Sequence, residues 1–411
     1  MNLRSPGSIF RWTPKPQSFL LVAGLALLVA FTGSVRASDA PAKGIGEKVK
    51  PKITTIAPKE VKGDVRIVQY PVPSRYATPY GIAVDSKDRI WSTLMSANSL
   101  AVLDPAKGEF KEYRIPSTQG LPESDWKYDS KNRTSPDKAF NVFSVGSPGN
   151  VIVGKNDIIW FVMHLGNSVV RFDPASEEFT EFLLPTKNGQ PYDLAEDPQG
   201  RIWFIEKNGG KFGFLDTAKK KITEIPLTPG SQLMGIAVDA AGLVYLSEVS
   251  ENYIGRYEPE TRKFKKFPIP AVRAQPGKMQ MGAEGMLWFC ALHTKQIGVF
   301  YTGKELFGLT EPPGYNTAPQ AIAPAKDGYI WYIDSMMNTV GYFDQKAVRF
   351  GTFDLPSMGA QPMSIATDSK GDIWFTESDR GANQISMLIR SSVPKNAAPA
   401  HVHDPGAQHS H

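Results

Sequence analysis

Apolar and polar positions along this chain recur in a fixed rhythm. Ile-Trp or a close relative stands at Ile90-Trp91, Ile159-Trp160, Ile202-Trp203, Val244-Tyr245, Leu287-Trp288, Ile330-Trp331 and Ile373-Trp374. After the second copy the aromatic returns about every 43 residues, a period that marks one supersecondary unit used repeatedly. One full unit runs over 79–116. Gly81-Ile82-Ala83-Val84-Asp85 reads as a strand closed by Ser86-Lys87-Asp88, and 89–94 is the aromatic strand. A turn at Ser96-Ala97-Asn98 leads to a third strand over 99–103. Asp104-Pro105-Ala106-Lys107-Gly108 then reverses the chain into a fourth strand over 109–115. Four short antiparallel strands in roughly 40 residues make a propeller blade. Seven aromatic strands therefore predict an all-β chain, a seven-bladed β-propeller. The last copy supplies three strands, ending near Leu388-Ile389, and Val65 to Pro71 alternates like the missing fourth. Pairing the two closes the ring and removes two exposed sheet edges. An open or six-bladed array would leave an orphan strand at each end.

The rhythm sets the domain limits: the propeller spans 63–390, with an insertion at 117–148 between the first two blades. Such insertions either sit over a functional face or merely elaborate the surface. Residues 38–62 carry no hydrophobic periodicity and read as a flexible linker. Residues 391–411 read as a disordered tail whose His401, His403, His409 and His411 could capture Cu, Ni or Zn, or be simply solvated. The apolar run from Phe19 to Phe31 follows Arg4, Arg11 and Lys15 and precedes Val35-Arg36-Ala37. That is the grammar of a secretory signal peptide over 1–37, with an uncleaved anchor as the alternative. A periplasmic or secreted protein is expected, free of the membrane after cleavage.

Charge adds little. The formal net charge is +5, and removing the four cations of the leader leaves about +1, so no basic face is implied and nucleic-acid binding is not expected. The single cysteine, Cys290, lies in an aromatic strand and reads as a small buried apolar residue.

Candidate chemistry follows from two spacings. The first strand of a blade lines the channel and the second returns antiparallel, so the start of one and the end of the other share a face. Nine residues before each aromatic lie Ile82, Val151, Leu194, Ile236, Met279, Ile322 and Ile365. Two residues upstream a mouth ring forms from Tyr80, Gly149, Tyr192, Met234, Gly277, Gln320 and Met363. Two further back, Gln190, Gln232, Gln275 and Gln361 form a polar rim. With Tyr80 and Tyr192, these are the expected ligand-binding residues. Three residues past the aromatic come Glu206, Glu248, Asp334 and Glu377, with His164 and His293 on the same face. Carboxylates and imidazoles there could hold a divalent cation, Mg²⁺ or Ca²⁺, or move protons. They could equally cap neighbouring loop amides. The Trp residues are expected to pack between blades.

Pro79-Tyr80-Gly81-Ile82, the Trp-Phe-x-Glu strands ending at Glu206 and Glu377, and Tyr253-Ile254-Gly255-Arg256 together resemble the virginiamycin B lyase (streptogramin lyase) family. The resemblance implies a seven-bladed propeller that opens a cyclic depsipeptide by Mg²⁺-dependent elimination, with a histidine base at a first-strand start. It carries over to Glu206 and Glu377, with Glu248 behind Tyr245. No histidine stands in the ring from Tyr80 to Met363, and Gln replaces the preceding Glu at four sites. The expectation is therefore a monomeric binding propeller for a small polar ligand or a periplasmic protein. The alternative is a carbon–oxygen lyase or lactonase-like hydrolase in which Glu206, Glu248, Asp334 and Glu377 hold the cation and His293 or His164 moves the proton.

Overall fold

The structure, a computed structural model, describes residues 49–116, 146–314 and 316–394, with the backbone of 20–23, 27–29 and 36–37. Seven antiparallel four-stranded blades are arranged as a propeller. Blade 1 comprises Pro79–Val84, Ile90–Leu94, Ser99–Asp104 and Glu109–Arg114. Blades 2 to 6 begin at Pro148, Pro191, Leu233, Pro276 and Pro319. Blade 7 takes Pro362–Thr367, Ile373–Glu377 and Gln384–Leu388 from the end of the chain, and Arg66–Pro71 from its start. That last strand pairs antiparallel with 384–388, Ile385 opposite Tyr70.

The aromatic strands make the ring cohere. Trp91 packs with Val151 and Ile159 of blade 2, Trp160 with Leu194 and Ile202 of blade 3, and Trp374 with Ile82 and Ile90 of blade 1. Each indole is buried against the following blade, at roughly 5 kcal/mol of transfer free energy for about 200 Å² of apolar surface. In three blades the turn before the strand supplies the indole N–H with an acceptor. Trp91, Trp203 and Trp374 donate to Asp85, Asp197 and Asp368 at 2.9, 2.8 and 2.9 Å. The same aspartates accept backbone N–H groups of their own turns, so one carboxylate fixes both turn and indole.

At the opposite end of the blades an asparagine closes the turn between the second and third strands. Asn98, Asn167, Asn252, Asn338 and Asn383 all take left-handed φ, between 43° and 59°, a conformation asparagine tolerates. Their side-chain amides donate to carbonyls of the loop leaving the outer strand, for example Asn167 to Thr186 at 2.8 Å and Asn338 to Ser357 at 2.8 Å. This ties down the face that carries the channel mouth.

Of the stretch 38–62 expected to be a flexible linker, residues 49–62 are described and include two strands. Lys52–Thr55 pairs with the outer strand of blade 1, and Lys59–Lys62 with that of blade 7. Both are fifth, edge strands exposed on both faces, so they carry no hydrophobic alternation and give no strand signal. The backbone at 20–23, 27–29 and 36–37 adds similarly to blades 5, 4 and 3. Residues 117–145 of the insertion at 117–148, and the tail histidines, lie outside the described residues.

Candidate functional site at the channel mouth

Register places the predicted residues on one face. Glu206, Glu248, Asp334 and Glu377 pair directly with Pro191, Leu233, Pro319 and Pro362, the first residues of their blades' first strands. Their side chains nevertheless do not meet. Each is buried inside its own blade, none more than 1% exposed. Glu248 accepts the backbone N–H groups of Gln232 (2.8 Å), Ser250 (3.1 Å) and Glu251 (2.5 Å). Asp334 does the same with Ala318, Met336 and Met337 at 2.6, 3.0 and 2.9 Å. Glu377 accepts from the amides of Gln69 (3.4 Å) and Gln384 (2.8 Å) and from the Ser386 hydroxyl (2.5 Å).

Glu206 differs. No donor reaches either oxygen. Its neighbour is Glu224, which takes Thr186 N–H (2.8 Å), Thr186 Oγ1–H (2.6 Å) and the Lys211 ammonium (3.0 Å). Burial, then repulsion from Glu224, pushes the Glu206 carboxyl up to about 8, so it holds a proton at neutral pH and can share it with Glu224. Among the described residues no group of three or more His, Cys, Asp or Glu side chains gathers as a cation would require. The predicted Mg²⁺ or Ca²⁺ ligands thus do not fit a common ion. Three have their oxygens engaged by their own blades, and the fourth is protonated.

The histidines also part company. His293 is an exposed turn residue whose backbone N–H donates to Ala274 O at 3.2 Å. His164 turns inward. Its ring stacks on Tyr192 (centroids 5.4 Å, 25°) and meets Tyr80 edge-on (6.0 Å, 89°). It occupies the space a side chain would need at Gly149, where a Cβ would run into the Nε2 edge. Blade 2 therefore contributes an imidazole to the mouth ring through its second strand, because its first strand has glycine there. Blade 5 repeats the device: Leu292 fills the space over Gly277. His164 Nδ1 lies 2.6 Å from Pro191 O. A carbonyl can only accept, so Nδ1 carries the proton and Nε2 keeps its lone pair. Burial, assisted by Lys207 and Lys278, lowers its pKa to about 4, and the ring is neutral at physiological pH.

Tyr80 donates its hydroxyl to that of Tyr192 at 3.2 Å, and burial raises both phenols' pKa. Of the rim glutamines, Gln232, Gln275 and Gln361 are exposed and Gln190 is half-buried. Gln190, Gln275 and Gln361 sit at left-handed φ of 54°, 51° and 48°, each just before a proline, so their backbone is fixed rather than adaptable.

Three residues were missed in the sequence: Asn150, Asp193 and Lys278, one place before the first-strand markers. The corresponding positions elsewhere are Gly81, Gly235, Ala321 and Ser364, so Asp193 and Lys278 are the ring's two charges, and that contrast was the available signal. Lys278 reaches from blade 5 across the channel. Its ammonium donates to Asn150 Oδ1 of blade 2 (2.8 Å) and Met363 O of blade 7 (3.4 Å), and lies 5.5 Å from the Tyr80 ring centroid. It forms a floor beneath the aromatic wall.

These features define a seven-bladed β-propeller whose channel mouth gathers Tyr80, His164 and Tyr192 into an aromatic wall, with Lys278 beneath it as a floor. Residues 138–404, more than half of the chain, match the virginiamycin B lyase family, and the protein belongs to that family. It is similar to a virginiamycin B lyase of Nocardia farcinica, 26% identical over 220 residues that make up 54% of this chain and 65% of that one, just under two thirds of the relative's length. Among solved structures it resembles a streptogramin B lyase (26% identity, TM-score 0.67, 79% of this chain and 97% of the other). It also resembles a catalytically inactive variant of the Staphylococcus aureus virginiamycin B lyase with quinupristin (24% identity, TM-score 0.67, 78% and 98%). At that last identity the likeness speaks for the fold alone.

Proposed function

We propose that this family member is an exported binding propeller that takes a small polar ligand at its channel mouth. One observation carries the reading. Of the eight large hydrophobic side chains exposed among the described residues, six (Tyr76, Leu165, Val272, Met336, Met337 and Met358) lie in loops on the mouth face; the others are Ile53 and Val348. Apolar exposure concentrated around a polar mouth is the composition of a binding face. Of the strand-end carboxylates on that face, Glu248, Asp334 and Glu377 are engaged in their own blades and Glu206 holds a proton, so they make a poor set of cation ligands. Export rests on the apolar run from Phe19 to Phe31 behind three cations. A periplasmic protein partner and a monomeric state fit the same reading.

A second reading, a lyase or lactonase-like hydrolase, is favoured by His164 alone. Its Nδ1–H is anchored on Pro191 O, so Nε2 could accept a proton. Its lowered pKa makes it a weak base, and no first-strand histidine assists it. Incubating catalytic amounts of protein with quinupristin, with and without Mg²⁺, separates the readings by chromatography and mass. A binding propeller returns the cyclic molecule unaltered. Elimination gives a linear isomer of unchanged mass but altered retention, and hydrolysis adds one water. A linear product that disappears in His164→Ala would establish the second reading and overturn the first.

A further inference from the structure

Asp193 and Lys278 are opposite charges in one enclosed channel, yet among the described residues no direct ion pair joins them. Both are half-buried between channel walls. Asn150 stands between, accepting from Lys278 at 2.8 Å and donating to Tyr192 O at 2.9 Å. Neither charge is saturated. The ammonium has three donors, and Asn150 Oδ1 and the Met363 carbonyl at 3.4 Å take two. The Asp193 carboxylate accepts N–H groups from Leu194 (3.1 Å) and, at longer range, Ile236 (3.4 Å), and the Asn150 amide also bears on it, which still leaves part of its acceptor capacity open. Two part-satisfied, half-buried charges of opposite sign carry a desolvation cost that a ligand supplying both complements would offset.

We propose that the floor of the channel mouth binds a small zwitterion of the amino-acid class, its carboxylate on Lys278, its ammonium on Asp193 and its side chain against Tyr80, His164 and Tyr192. A purely anionic ligand would satisfy Lys278 and face Asp193, and a purely cationic one would do the reverse. A ligand carrying both charges meets both demands. The aromatic wall favours a planar or apolar side chain, with ring faces available for stacking. Burial also pushes the Asp193 carboxyl up to about 6 and lowers the Lys278 ammonium, each shift partly offset by the other group's charge. This inference rests on the binding reading of the mouth and specifies its ligand.

The test is calorimetric titration of the full chain with L-phenylalanine, L-phenylalaninamide (ammonium only) and N-acetyl-L-phenylalanine (carboxylate only). The zwitterion is expected to bind about tenfold or more tighter than either analogue, the scale of one charge-assisted hydrogen bond. Asp193→Asn should erase the preference over the N-acetyl compound, and Lys278→Met the preference over the amide, with unfolding midpoints confirming that each variant is folded. Equal affinity for the three compounds, or no binding of any of them to the wild-type chain, overturns the inference. Neither outcome bears on the quinupristin experiment, so failure here and failure of the binding reading are distinguishable.

Discussion

Blades 3 and 7 carry the same strand, Ile-Trp-Phe-x-Glu, ending at Glu206 and Glu377, and both carboxyls are fully buried at the same register. Their environments are opposite. Glu377 faces Gln69 on the outer strand and Gln384 on the third, whose amides donate to it. Glu206 faces Glu224 at the equivalent outer position and receives no donor, so it is held protonated. The motif brings a carboxyl to a place; its cross-strand neighbours decide its charge. A role carried over on the motif alone treats two chemically different groups as equivalent.

That contrast can be broken directly. Replacing Glu377 by Ala should be the most damaging change, since it strips three buried donors of their acceptor. A loss of about 3–5 kcal/mol in urea unfolding at pH 7 is expected. Glu206→Gln should behave quite differently. The folded carboxyl titrates near 8 and the ordinary value is 4.5, so the folded state binds the extra proton. Its contribution is fully present below about 4.5 and is lost as pH rises through about 8, by at most about 1.4 kcal/mol per pH unit. Wild type and Glu206→Gln should therefore be similar near pH 5, and the variant should be the more stable at pH 9, measured by unfolding midpoints across that range. A variant destabilised equally at both values would show that Glu206 is ionised.

Glu224→Gln sharpens the comparison by giving blade 3 the amide that blade 7 has. We expect a gain of about 1 kcal/mol at pH 8, with the carboxyl resonance of Glu206 shifting to the ionised form by NMR. The smallest effect concerns the mouth. The folded His164 pKa, lowered to about 4 from 6.5, means stability is present above 6.5 and lost as pH falls towards 4. Imidazole ¹⁵N spectra at pH 6 should show one neutral ring with its proton on Nδ1. A protonated His164 at that pH would mean the ring is solvated instead of walled in.

Much of the fold was legible because blade strands obey a period, and the indoles that mark it are buried between blades for one physical reason throughout. The strand at 66–71 was found because four of its six residues are buried. Lys52–Thr55 and Lys59–Lys62 were not, because edge strands bury neither face. At the site, the shared face of first-strand starts and second-strand ends followed from antiparallel pairing. The convergence of the carboxylates did not, because which way a strand-end side chain turns depends on donors elsewhere in the blade. His164 at the mouth was hidden by the same rule: its place in the ring exists only because Gly149 leaves room. Asp193 and Lys278 were visible as the two charges at otherwise small or neutral positions, one residue from those read.

On the binding reading, the strand-end carboxylates are structural and the channel mouth takes the ligand. Calorimetric titration of Mg²⁺ into the wild-type chain and into Glu248→Gln tests this most directly. Two matching titrations without a saturable site are predicted. One-to-one binding to the wild type that vanishes in Glu248→Gln would contradict the account and return these carboxylates to the chemistry.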